Sequence, residues 1–294
     1  MITRVCISIN NRCNLNCQYC HFHEKKDSII TSNMDIFKIL DNIRNYIEKN
    51  NIKLFKIGFV GNGEPFLEFE DLHKYISYIS DLLKSKVISA YTITNGTILD
   101  RKKIEFLVEN NVTMGFSLDG LKDIHNKWRC NSFDTVMKNI ELYRDIVGNY
   151  PPLNCTVSED ILKNSEEVIK FFSKFNSRIT FSRMIGKYSI PLDEFNRFLN
   201  KASEKLNIRR GGYDCTMYGG MCGAGIDNLF YANGKVFICG NCVDIETGFT
   251  SDTPLEKIKF NISNFDRKYC YKESILKLWN LLYMECRVQE RQPY

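Results

Sequence analysis

Along the first 185 residues, short runs rich in β-branched and aromatic residues alternate with longer stretches of mixed polarity. The short runs are "RVCISI" (4–9), "KLFKIGFV" (53–60), "KVISAYTIT" (86–94), "VTMGFSL" (112–118), "LNCTV" (153–157) and "RITFSRM" (178–184). Between them, in "MDIFKILDNIRNYIEKN", Ile36, Ile39, Leu40, Ile43 and Ile47 recur at the three-and-four spacing of one helical face. "LEFEDLHKYISYISDLLK", "FDTVMKNIELYRDIVG" and "SEEVIKFFSKF" are further amphipathic segments. Six strand–helix units in this order predict a parallel sheet with helices packed outside it, linked by right-handed crossovers and closing into part of a barrel.

Beyond residue 186 the rhythm changes. "PLDEFNRFLNKASEKLN" predicts one more helix, and "LFYANGKVFI" a β-hairpin turning at Asn233-Gly234, a type I′ signal. "ESILKLWNLLYMECRVQE" has the pattern of a closing helix. The expected division is a partial barrel over 1–185 and a smaller cysteine-bearing domain over 186–294.

Composition narrows the classes. A 44% apolar content in 294 residues predicts a packed globule, and the formal charge of +5 comes without a basic block, so no nucleic-acid partner is expected. The N-terminus has no secretory pattern and no apolar run reaches membrane-spanning length, which predicts a cytoplasmic protein with no membrane association. In a reducing compartment, twelve cysteines in clusters point to metal ligation more than to disulfides.

Three of them form "CNLNCQYC", Cys13-x3-Cys17-x2-Cys20, directly after the first strand. Three thiolates can hold three irons of a four-iron cluster and leave the fourth open. By spacing alone, a zinc site completed by His23 and a set of inert thiols are alternatives. Context adds polar loops after the next three strands: "GNGEP" (61–65) with Glu64, "TNGT" (94–97) with Asn95, and "SLDG" (117–120) followed by "IHNKWR", ending at Arg129. In parallel barrels the C-terminal ends of the strands carry the active site.

Together these motifs resemble the radical S-adenosylmethionine superfamily, with Asn62 where its glycine–glutamate–proline motif usually has a first glycine. The resemblance covers roughly residues 4–185. It implies a (β/α)6 partial TIM-type barrel in which Cys13, Cys17 and Cys20 bind a [4Fe-4S] cluster. S-adenosylmethionine would chelate the open iron, near Tyr19, Gly63, Glu64, Asn95, Ser117 and Arg129. It also implies a 5′-deoxyadenosyl radical that abstracts hydrogen, with an electron donor of the flavodoxin or ferredoxin kind.

Six cysteines follow residue 200: Cys215, Cys222, Cys239, Cys242, Cys270 and Cys286. The hairpin brings Cys222 and Cys239 together, and the arrangement resembles SPASM and twitch auxiliary-cluster domains. That resemblance implies one auxiliary [4Fe-4S] cluster on Cys215, Cys222 and Cys239. Cys242 is the expected fourth ligand, with Cys270 and Cys286 as alternatives; structural zinc is the competing reading. A Cys242 free of the cluster could instead donate a hydrogen atom. The pairing of core and auxiliary domain is similar to that of sulfatase-maturating enzymes and peptide epimerases or crosslinking maturases. It implies a peptide or protein substrate undergoing epimerisation, thioether or carbon–carbon crosslinking, or residue oxidation, with leader recognition falling to the barrel face or a separate protein. The alternative is a dehydrogenase of a small molecule such as an amino sugar alcohol.

Overall fold

The computed structural model describes residues 1–20, 32–212, 215–260 and 265–273. The closing helix expected over 273–290, His23 and Cys286 lie outside this set. The six expected strands form: β1 (Arg4–Ile7), β2 (Phe55–Phe59), β3 (Ile88–Thr94), β4 (Thr113–Ser117), β5 (Leu153–Val157) and β6 (Ile179–Arg183). They lie side by side in chain order, every neighbouring pair parallel. Both ends of this sheet are extended. A strand the sequence pattern did not single out, β7 (Ile208–Arg210), joins β6 in parallel. Its three residues include two arginines, so neither length nor polarity marked it as strand. At the other edge β8 (Asn228–Ala232) pairs parallel with β1, and β9 (Lys235–Phe237) returns antiparallel. The hairpin is as expected: Asn233 and Gly234 have φ of 54° and 71°, the two left-handed residues a type I′ turn requires.

Alternation along the strands separates two environments. In β1, Val5 and Ile7 are wholly buried while Arg4 and Cys6 are partly open. In β3, Ile88, Ala90, Thr92 and Thr94 are buried and Ser89, Tyr91 and Ile93 are not. The buried set joins the helices in one large core that includes Phe55, Ile57, Phe59, Phe116, Leu153 and Phe181. The opposite face lines an open, largely polar lumen.

The first long helix, α1 (Asn33–Lys49), starts where the Ser32 hydroxyl accepts the Asp35 N–H, and it buries the five predicted apolar positions. Residues past 186 contribute to the same core through Phe195, Phe198, Leu199, Tyr231, Val236, Leu255 and Ile258. A second, small apolar cluster forms around Cys222, Ala224 and Ile238.

Phe59 is fully buried at the centre of the sheet. Phe59→Ala should lower the unfolding free energy by about 3–5 kcal/mol, read as a shift of the urea midpoint at unchanged slope.

Candidate active site

All four polar loops open at the same rim, because the strands that feed them are parallel and neighbouring. They enclose a cleft of about 270 Å³ lined by Cys13, Cys17, Cys20, Tyr19, Asn62, Gly63, Glu64, Asn95, Ser117 and Arg129, among others. Every N-terminal site residue anticipated from the sequence therefore meets in one place.

Glu64 is only 2% exposed, at the start of the short turn Pro65–Glu68. Its Oε1 accepts the Thr94 hydroxyl (2.7 Å) and the Phe66 N–H (3.1 Å), and its Oε2 accepts the Asn95 N–H (2.7 Å). Burial pushes its carboxyl up, while the bonds from Asn95, Thr94 and Phe66 pull it down. A carboxylate has about four acceptor positions, so three bonds leave one for a donor from the cleft. The backbone of this loop is clasped by the strand-one loop: Asn10 Nδ2 donates to the Glu64 carbonyl (2.9 Å) and the Glu64 N–H to the Arg12 carbonyl (2.8 Å). This clasp explains Gly63. A Cβ there would sit 1.9 Å from Asn10 Oδ1 and 2.3 Å from the Arg12 carbonyl oxygen. Asn62, the departure from the family pattern, donates through Nδ2 to Asn11 Oδ1 (3.1 Å), and its buried Oδ1 has no hydrogen-bond partner among the described residues.

On the opposite wall, Asp119 is the residue the sequence reading quoted without giving it a task. It is 1% exposed, and its Oδ2 accepts both the Tyr19 hydroxyl (2.6 Å) and Arg129 Nε (2.8 Å). Its Oδ1 accepts the Thr156 N–H (2.9 Å). Thus one carboxylate holds the thiol loop, the Arg129 guanidinium and β5 in register, leaving the terminal guanidinium nitrogens of Arg129 for the cleft. Its position in "SLDG" was the only signal available.

Arg129 ends the helix α2 (Lys122–Trp128), and the chain then turns sharply through Cys130 and Asn131, both at φ 55°. His125 and Ser132 brace this turn. His125 Nδ1 accepts the Asp119 N–H (3.1 Å), which places its proton on Nε2, 3.0 Å from Ser132 Oγ; that hydroxyl donates to the Arg129 carbonyl (2.7 Å). Cys130 Sγ accepts the Asn16 N–H (3.2 Å), tying the thiol loop to the same turn. Burial pushes the Cys17 thiol up to about 12 and raises Cys13 as well. Such thiols become thiolates only beside a strong positive charge, which a metal centre supplies.

A second cleft, about 300 Å³, is lined by Cys215, Cys222, Cys239 and Cys270, with Cys6 and Arg4 from β1. Cys242, expected to be the fourth member, does not line it. It is 1% exposed with its sulfur 3.3 Å from that of Cys239. The hydrogen bond between the two sulfurs pulls Cys239 down to about 7 and pushes Cys242 up. Among the described residues, no three His, Cys, Asp or Glu side chains gather closely enough to hold a single metal ion.

A thiol-rich rim at the C-terminal ends of parallel strands defines a class: a partial-barrel protein whose functional site lies at its mouth. The Radical SAM superfamily profile matches residues 7–158, and the chain belongs to that superfamily. An uncharacterised protein of Methanocaldococcus jannaschii is 31% identical over 289 residues, covering 92% of this chain and 95% of its own length. A cysteine-type anaerobic sulfatase-maturating enzyme of Clostridium novyi is 28% identical over 215 residues, covering 65% of this chain and 56% of its own length. The chain thus spans little more than half of that relative. Among solved structures, native anSMEcpe with bound AdoMet and Cp18Cys peptide shares the fold, with a TM-score of 0.70 at 21% identity over 90% of this chain and 82% of that one.

His125 supplies a pH test. Burial lowers it from 6.5 to about 4, so between these values the unfolded chain binds the proton and the folded protein does not. Stability is full above about pH 6.5 and falls toward pH 4, by about 3 kcal/mol from this group. His125→Gln should flatten that part of the profile, read by chemical denaturation at pH 7 and pH 5.

Proposed function

We propose that this chain is a radical S-adenosylmethionine enzyme acting on a peptide or protein. The observation that carries the reading is the single cleft in which Cys13, Cys17 and Cys20 face Glu64, Asn95, Ser117 and Arg129. The three thiols would hold a [4Fe-4S] cluster.

The donor set also suits the methionine end of the cofactor. Glu64 and the backbone at Gly63 offer acceptors for an ammonium group, and the orphaned Asn62 Oδ1 adds another. Arg129, held by Asp119, presents a guanidinium to a carboxylate, with Ser117 beside it. Tyr19, fixed through its hydroxyl, offers a ring edge or face to the adenine. When bound, the cluster and its sulfonium partner supply a carbon radical that takes a hydrogen atom from an unactivated C–H bond, given one electron from a flavodoxin- or ferredoxin-type donor. This chain's own residues orient that pair and shield it.

Residues 186–294 would form the auxiliary-cluster region, with Cys215, Cys222 and Cys239 as ligands. Cys270, which faces the same cleft, is the better fourth ligand by position, and Cys242 then serves as the hydrogen-bonding partner of Cys239 rather than as a hydrogen donor. The peptide assignment draws on the sulfatase-maturating relative, whose name describes action on a protein. Among the described residues no helix is long and apolar enough to cross a membrane.

Anaerobic iron and sulfide analysis tests the cluster count. About eight irons should fall to about four when Cys13, Cys17 and Cys20 are all replaced by Ala, and zinc at either cleft would overturn the reading. The reduced enzyme should release 5′-deoxyadenosine from S-adenosylmethionine. Arg129→Lys should weaken cofactor binding by at least about tenfold, since a point charge replaces a planar fork, measured by equilibrium dialysis.

A further inference from the structure

The lumen below the candidate active site has a chemistry of its own. A cavity of about 310 Å³ occupies the end where the strands begin, and the side chains of Arg4, Lys56, Arg178 and Arg209 give it a basic lining. None of its described lining residues is Asp or Glu. The cations come from both walls. Arg4 on β1 stands in register with Lys56 on β2, and on the far side Arg209 on β7 stands in register with Thr180 on β6, two residues beyond Arg178. Neighbouring like charges on one face of a sheet repel each other. Lys56 and Arg178 form no ion pair among the described residues. Arg210, in register with the core residue Phe181, turns instead to the helix side, over the Phe195 ring. Low-dielectric walls carrying one sign of charge concentrate oppositely charged ligands.

This cavity adjoins the thiol cleft at Ile93, which lines both. On β3 the basic end is marked by Ser89 and the thiol end by Ile93. Four residues of strand separate them, about 13 Å at the usual rise, and an extended peptide covers that distance in about four residues.

We propose that the basic mouth of the lumen binds a carboxylate of the substrate peptide, so that the enzyme selects an acidic segment about four residues from the position presented to the thiol cleft. The inference rests on the peptide reading above and gives it a substrate class. The carboxylate can be an Asp or Glu side chain or the peptide's own C-terminus. An arginine-rich wall suits either, through paired hydrogen bonds.

The test uses the full chain, anaerobically reconstituted, and fluorescein-labelled octapeptides of otherwise neutral sequence. Three carry a central Glu, Gln or Lys pair with blocked ends, and a fourth carries Gln with a free C-terminal carboxylate. By anisotropy, the Glu peptide or the free-acid peptide should bind at least about tenfold more tightly than blocked Gln, with an affinity that falls as salt rises; which of the two binds identifies the source of the carboxylate. K56E/R178E should remove the preference and favour the Lys peptide. Equal binding of all four peptides by the natural protein overturns the proposal, as does an unchanged preference in a double variant with normal iron content and circular dichroism. Peptide-independent release of 5′-deoxyadenosine, read on the same preparation, reports separately on the radical assignment. A failure there leaves the binding result standing by itself.

Discussion

Six parallel strands laid down in chain order send every strand-to-helix loop to the same rim, and that geometric constraint underlies everything else in the molecule. Loops separated by a hundred residues or more then share a few ångströms of space: Tyr19 bonds to Asp119, and Asn16 to Cys130. Nothing local brings these residues together. Each loop is short and polar for its own reasons, and each receives its partners because the sheet holds the strand ends level.

Two buried carboxylates convert that proximity into a defined site. Glu64 and Asp119 each accept three hydrogen bonds from protein groups, which offsets the cost of removing a polar group from water. Their tasks differ. Glu64 keeps one acceptor position beside the cleft, whereas Asp119 is occupied in aiming Arg129 and anchoring Tyr19. The cleft between them therefore has an acceptor wall and a cationic wall, a polarity suited to a zwitterionic amino acid group. Behind the cationic wall, His125 and Ser132 hold the strained turn at Cys130 and Asn131, so the aim of Arg129 depends on groups that never face the cleft.

The sheet also connects the two thiol clefts. Because β8 pairs with β1, the lumen-facing Arg4 and Cys6 border the cleft formed by Cys215, Cys222, Cys239 and Cys270. Arg4 and Gly212 line both this cleft and the basic cavity, and Ile93 lines both the basic cavity and the cleft at the rim. A closed barrel would fill that interior with branched apolar side chains. Here the lumen-facing positions of β3, β5 and β6 are mostly polar and partly open.

Much of this was legible in the residues themselves. The period-two and period-3.6 patterns marked six strands and the first long helix, since burial on one face imposes a regular spacing on apolar residues. The thiol triplet, Glu64, Asn95, Ser117 and Arg129 were legible as motifs, because each follows a strand at a short, fixed interval. Asn233-Gly234 announced its turn, since a tight hairpin needs two left-handed residues. The role of Asp119 was not legible: a buried carboxylate is defined by the three groups that meet it, and those come from three distant segments. The same holds for β7, whose pairing with β6 outweighs its arginines, and for Cys270, whose place at the second cleft depends on how the chain returns after the hairpin. Local sequence determined which elements form; long-range pairing of parallel strands alone decided which side chains share a cavity, because sequence spacing carries no information about distances across a sheet.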